Sequence, residues 1–153
     1  MGAPAIGGSV PSGNGGDGSP SIFRRTVPGT IYSATGGGGS SGVICSSTPM
    51  VQIGGLPGSG NSGYLRRKGE PGGIAFAFEL GGNSFAIAGK GGTILGGGGI
   101  SRGSASNGVS QSGSVGDLHG CGAGGAFVTA GGAAANGQDS APGRVVIIEY
   151  ISS

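Results

Sequence analysis

The sequence has few charged side chains and few of the residue types that usually carry out chemistry. Only 9% of its 153 residues are charged, and it has one histidine, two cysteines and no tryptophan. A net charge of +2 is too small to indicate a nucleic-acid-binding protein. Its eight Phe and Tyr residues are scattered singly, so no base-stacking platform is predicted either. Disordered chains usually carry many charges, so the shortage of charge favours an ordered protein.

Long apolar runs are also missing. No stretch approaches the roughly 18 apolar residues of a membrane-spanning helix, so membrane insertion is not expected. The first residues, MGAPAIGGSVPSG, have neither the basic start nor the apolar core of a secretory signal, which predicts a protein made in the cytoplasm. No window shows a helical period with caps, so the sequence predicts no helix.

Glycine, in contrast, is abundant, with 42 residues. Runs such as Gly36 to Gly39 and Gly96 to Gly99 break the every-third-residue pattern of collagen. Glycine lets backbones approach closely, but it loses more conformational entropy on folding than any other residue. We therefore expect compensation from close backbone packing, from many main-chain hydrogen bonds or from burial against identical subunits.

Short apolar clusters between the glycines have the alternation of β-strands. Residues Ile22 to Val27 and Thr30 to Thr35 are predicted to form a hairpin that turns at Pro28-Gly29. The clearest hairpin pairs residues 74–80 with residues 85–88 through the linker GGNS. Two more short strands are predicted at Val43 to Cys45 and Met50 to Ile53, and few regular elements are predicted between residues 89 and 141.

The end of the chain contains the densest apolar run, Arg144 to Ile151. Its apolar side chains lie on both sides of the alternation, which predicts a strand buried on both faces, within one subunit or between subunits. The predicted fold class is all-β with extensive glycine-rich irregular loops, a single small domain closed by this C-terminal strand. Residues 1–18 are predicted to form a flexible or extended arm and residues 19–153 the domain. The predicted assembly residues are Val145, Val146, Ile147, Ile148 and Tyr150.

Candidate catalytic and cofactor motifs are weak. Two GxGxxG matches, at residues 13–18 and 58–63, are expected by chance in so glycine-rich a chain, and no predicted helix follows either. His119 and Cys121 lie close together in DLHGCG, which leaves a small Cys/His hydrolase as one alternative. Zinc needs three or four ligands, and Cys45 is the only other soft donor, so a glycine-rich turn is favoured. The sequence thus predicts no enzyme, no metal and no cofactor, with both cysteines free and buried.

One cluster of positive charge stands out in LRRKGE. Burying an unpaired charge costs several kcal/mol, so these basic side chains are predicted to lie on the surface. They would contact an anionic surface such as a host glycan, lipopolysaccharide phosphate or an acidic neighbouring subunit. The predicted contact residues are Arg66, Arg67, Lys68 and Arg102.

Four segments, taken in order, resemble the glycine-rich domains at the ends of bacteriophage tail fibres and other virion appendages. They are SIFRRTVPGTIYSATGGGG (21–39), GSGNSGYLRRKGEPGG (58–73), GKGGTILGGGG (89–99) and GCGAGGAFVTAGGAAANGQDSAPGRVVIIEY (120–150). The resemblance spans roughly residues 21–150, and its specificity lies in the ordered set of segments together with the APGRVVIIEY ending.

This resemblance implies a virion structural protein, a tail-fibre or tail-tip module that contributes to host attachment. It also implies other virion proteins as partners and a homo-oligomer, with a trimer favoured. A capsid decoration or virion-stabilising protein is the alternative within the same class.

Overall fold

The computed structural model describes residues 13–24, 29, 31–60, 68–93, 98–99 and 102–148. These residues form an all-β structure of nine short strands in three sheets, without a helix. The predicted fold class is therefore confirmed at the level of all-β. The strands are β1 (Ser21–Arg24), β2 (Ile31–Ala34), β3 (Val43–Ile44), β4 (Met50–Gln52), β5 (Ala75–Leu80), β6 (Asn83–Ile87), β7 (Gly103–Ser104), β8 (Ser110–Gln111) and β9 (Phe127–Val128).

The pairing of both predicted hairpins is confirmed, although residues 25–28 and 30 of the first, which include Pro28 of its predicted turn, lie outside the described residues. Strands β1 and β2 pair antiparallel with Arg24 opposite Ile31 and form a two-stranded sheet of their own. Strands β5 and β6 pair antiparallel around Gly81 and Gly82, whose φ angles are 59° and 79°. Two successive positive φ angles define a type I′ turn, which suits glycine. The turn is therefore two residues long, because the Asn and Ser of the predicted GGNS linker belong to β6.

The core lies between the two larger sheets. One is the antiparallel sheet β4-β5-β6-β7, and the other is β3-β9-β8, in which β3 and β9 run parallel. Val43 and Phe127 fill the space between them. The fully buried side chains that the antiparallel sheet and the residue after β6 turn toward this core are small, namely Ala75, Ala77, Ala86 and Ala88, and the partly buried Met50 of β4 packs against them. Strands β7, β8 and β9 lie in the region where few regular elements were predicted.

Outside the sheets, the interior is built from backbone. Segments 37–43 and 120–126 run side by side, and their hydrogen bonds recur at every third residue. The amides of Gly37, Ser40 and Val43 donate to the carbonyls of Gly120, Ala123 and Ala126 over 2.7, 3.1 and 3.0 Å. A β-strand repeats every two residues, whereas the polyproline II type of helix repeats every three. These segments are therefore extended threefold helices.

The same spacing recurs throughout this region. Segment 120–126 bonds in this way to segment 13–16 and to segment 89–92, as well as to segment 37–43. A strand in a sheet bonds to at most two neighbours, so these segments form a bundle. We call it the glycine bundle, comprising residues 13–18, 36–42, 54–58, 70–73, 89–93, 98–99 and 120–126. The spacing is seen in the donor–acceptor pairs Gly15–Ser40 and Gly18–Gly37, Gly122–Gly92 and Gly125–Gly89, and Ala126–Gly13 and Ala123–Gly16.

Close approach of the segments explains the glycines of the bundle. A Cβ added to Gly122 would overlap the Gly38 carbonyl, and one added to Gly55 would overlap the same carbonyl from another side. Neither glycine has a positive φ, so the requirement comes from space and not from backbone conformation. The close backbone packing expected from the composition is present. Residues 36–42 and 120–126, which were predicted as irregular loops, have a regular repeat.

A few polar side chains complete the hydrogen bonding of the bundle. Ser40 is buried, and its hydroxyl donates to the Gly89 carbonyl and accepts from the Gly125 amide, both over 2.6 Å. The side-chain oxygens of Asn14 and Asp17 accept from the amides of residues 42 and 39. Residues 13–18 were predicted to belong to a flexible or extended arm, but they bond into the bundle. Residues 1–12 of that arm lie outside the described residues.

Candidate interaction surfaces

The C-terminal run leaves the glycine bundle. Ala141 and Pro142 still bond to residues 121 and 120, over 3.1 and 2.9 Å. Beyond them, residues 144–148 belong to no strand, and all five are exposed. Val146 is 67% exposed and Ile148 71%. Residues 144–148 are therefore not a strand buried on both faces within the single chain, and burial of this run between subunits stays a prediction. Tyr150 and the rest of that prediction lie outside the described residues.

The predicted alternation of these side chains is nevertheless visible. Val145 and Ile147 line one groove, together with Ile22 and Phe23 of β1. Val146 lines a second groove of about 390 Å3 on the opposite side. We call the exposed set the C-terminal apolar surface; it consists of Ile22, Ile31, Val145, Val146, Ile147 and Ile148. Exposed apolar side chains on both sides of one segment favour an interaction site.

Sequence reasoning found the C-terminal half of this surface but missed Ile22 and Ile31. The predicted hairpin contained the information needed to find them. Its register places Ile22 opposite Ser33 and Ile31 opposite Arg24, so the two isoleucines lie on the same face. Within the part of the chain that the structure describes, residues 144–148 also pair with no other segment, so their backbone groups can pair with a strand from another chain. The surface therefore combines apolar side chains with unused strand-pairing capacity.

The predicted basic contact residues are only partly described. Lys68 and Arg102 are both exposed, as predicted. They lie on separate segments: Lys68 forms an isolated bridge with Ser59, and Arg102 precedes β7, where its carbonyl accepts from the Ala88 amide over 2.6 Å. Arg66 and Arg67 lie outside the described residues. Contact of these side chains with an anionic surface stays a prediction.

The two residues of the Cys–His pair line the same groove as Val146 but differ in exposure and in the contacts that the structure describes. Cys121 is 1% exposed, and its thiol contacts the Thr93 hydroxyl at 3.6 Å, whereas His119 is exposed. Catalysis by such a pair needs the thiol within hydrogen-bond reach of the base. The second thiol, Cys45, donates to the Phe85 carbonyl over 3.1 Å. Both cysteines are free and buried, which confirms that prediction.

Two further properties concern the described residues alone. They contain no group of three or more His, Cys, Asp or Glu side chains placed to bind a metal ion. They also contain no helix with the length and apolarity needed to cross a bilayer.

Comparison with known proteins finds no match to this chain: no family model, no curated protein and no solved structure is significantly similar to it. The likeness to tail-fibre glycine-rich domains therefore rests on the four sequence segments alone.

Proposed function

We propose that this chain is a structural and binding module of a bacteriophage virion, a glycine-rich tail-fibre or tail-tip component that contributes to host attachment and is not an enzyme. The observation that carries the proposal is the glycine bundle. Its interior is mostly backbone, so the large aliphatic side chains are left on the outside. An isolated enzyme has no use for such a surface, whereas a subunit of a larger particle buries it against its neighbours.

Assembly through the C-terminal run fits this role. Residues 144–147 alternate between two grooves, and among the described residues the run 144–148 belongs to no ladder. Pairing with a strand of a neighbouring subunit would satisfy their backbone and cover the C-terminal apolar surface. The domain would then be closed by its C-terminal strand within the assembly, as a homo-oligomer. The sequence resemblance favours a trimer.

Host attachment is assigned to the exposed basic side chains. Lys68 and Arg102, with Arg66 and Arg67 of the same predicted set, would contact an anionic glycan or lipopolysaccharide phosphate on the host. Isolated positive charges on a weakly charged surface give contacts that salt screens, because the Debye length falls from about 30 Å at 0.01 M to about 3 Å at 1 M ionic strength.

Locating the protein on intact particles tests the proposal. Antibodies against the purified chain, detected by immunogold electron microscopy on virions of the phage that encodes it, are expected to label the distal end of the tail. Labelling of the head instead would identify a decoration protein and contradict the tail assignment. If purified virions neither bind the antibody nor contain the chain by mass spectrometry, the virion proposal is wrong.

A further inference from the structure

The four-stranded sheet has a second apolar face, opposite the one that packs on the core. Cross-strand pairing puts Phe76 beside Val51 and Ile87, and Phe78 beside Phe85. Strand alternation adds residues at the ends of the same rows. We call this the outer sheet face, consisting of Val51, Ile53, Ile74, Phe76, Phe78, Leu80, Phe85 and Ile87.

The three phenylalanines form the centre of this face. The ring centroids of Phe76 and Phe78 are 5.2 Å apart, and both rings contact Phe85, at 6.1 and 5.6 Å. The rings are half-buried by one another. The aliphatic side chains around them are between 36% and 74% exposed. An aromatic centre surrounded by aliphatic side chains is the arrangement of an interface core.

The fold itself does not use this face. The alanines of the other face and Val43 and Phe127 already form the core between the two larger sheets. The large side chains of β5 therefore point away from the interior, and their alternation with alanine is the reverse of a half-buried strand that turns its large residues inward. A partner on the outer sheet face would remove this apolar surface from water.

The size of the face matches one side of a stable interface. From the exposed fractions, its side chains present on the order of 600 Å2, which is at the upper end of the largest patch on a typical monomer. A stable complex buries about 800 Å2 on each partner, a value that this face reaches with a modest rim.

The chemistry of the outer sheet face indicates which kind of partner packs on it. The eight side chains of the face carry no charge and no hydrogen-bonding group, and among the described strand residues on this side of the sheet only the exposed Asn83, opposite Leu80, has a polar side chain. The face therefore offers a phosphate or a sugar hydroxyl a single amide at its edge. Homodimer interfaces are the most apolar class of protein interface. An antiparallel sheet is also suited to face-to-face packing on another sheet, with side chains interdigitating across about 10 Å. We infer that the outer sheet face packs against the same face of a second copy of this chain.

This contact is separate from the C-terminal apolar surface and does not depend on the virion proposal. To test the outer sheet face separately, self-association is measured in a chain that carries Val146→Asp and Ile148→Asp. These substitutions remove the contact through the C-terminal apolar surface. Sedimentation equilibrium of this chain is expected to give the mass of a dimer. Adding Ile74→Lys and Leu80→Lys, at two exposed positions of the face, is expected to halve that mass, since the dimer would have to bury the lysine charges.

Val115→Lys is the matched control, because Val115 is exposed but lies outside the face; it should leave the dimer intact. Far-UV circular dichroism confirms that each variant is folded. A monomeric mass for the chain that carries only Val146→Asp and Ile148→Asp would overturn the inference. A dimer that persists after Ile74→Lys and Leu80→Lys are added would overturn it as well. Either result leaves the virion proposal untouched, and absence from virions leaves the dimer contact untouched.

Discussion

Replacing Gly122 with alanine is expected to destabilise the protein by about 3 kcal/mol or more, at or beyond the upper end of the usual cost of overpacking. The added methyl group would overlap the carbonyl of Gly38 and crowd that of Gly37. Both obstacles are backbone atoms of a segment that is itself bonded on several sides, so neither can move aside cheaply. A loss of this size is a large part of the 5–15 kcal/mol that stabilises a typical domain.

Gly73→Ala provides the matched control. A methyl group there would meet only the Lys90 side chain at 3.5 Å, an ordinary contact, and Gly73 does not have a positive φ. Alanine at a compatible glycine position stabilises by about 0.4–1 kcal/mol, because it restricts the unfolded chain. The two substitutions are therefore expected to change the free energy of unfolding in urea in opposite directions. Equal effects would mean that the segments are not packed as described.

The double substitution Val146→Asp and Ile148→Asp is expected to abolish assembly through the C-terminal apolar surface while leaving the folded chain, and its dimer through the outer sheet face, intact. Both side chains are mostly exposed in the single chain, so aspartate there stays solvated and costs little. In the proposed assembly the same positions lie between subunits, where unpaired carboxylates cost several kcal/mol each. Light scattering after gel filtration should show a smaller particle, with an unfolding midpoint close to that of the wild-type subunit.

Val115→Asp is the control for this experiment, since it adds the same charge at an exposed valine outside the C-terminal apolar surface. Wild-type assembly of the double variant would exclude the C-terminal run as an interface. Unfolding of the double variant would show instead that the run stabilises the single chain, as the sequence first suggested.

The hairpins could be predicted from the sequence because their signals are local. In β5 and β6 the period-two alternation and a pair of glycines lie within 13 consecutive residues, 75–87. The turn at Gly29 marks the first hairpin in the same way. Strands β7 and β8 contain only Gly, Ser and Gln, and β9 is two residues within a glycine- and alanine-rich stretch, so none of them shows an apolar alternation in the sequence.

The glycine bundle could not be predicted, because its threefold backbone repeat produces no recognisable pattern of residue types in the sequence. Glycine has no side chain, so a threefold repeat leaves no apolar pattern. Its partners are also distant in sequence: Gly37 bonds to Gly120, and Gly13 to Ala135. The composition predicted close backbone packing, but it could not say which segments would pack together.

The candidate surfaces were found in part, for a related reason. Alternation shows which side chains share a side, and it correctly separated Val145 from Val146. It does not show what covers either side, so exposed residues were predicted as buried. The same limit applies to β5. Alanine alternates with phenylalanine along this strand, but the alternation alone does not show which of the two faces the core; in the structure the alanines do.

Amide hydrogen exchange, followed by NMR, tests the glycine bundle most directly. Residues 120–126 lie outside every strand, yet their amides are buried and bonded to segments on several sides. Amides deep in a cooperative structure exchange only through its global opening, whereas those of loops exchange through local fluctuations. The amides of Gly122, Gly125 and Ala126 are therefore expected to exchange as slowly as those of β5 and β6. Exchange at the rate of an unstructured peptide, while β5 and β6 remain protected, would show that these glycine segments are loops and would contradict the bundle.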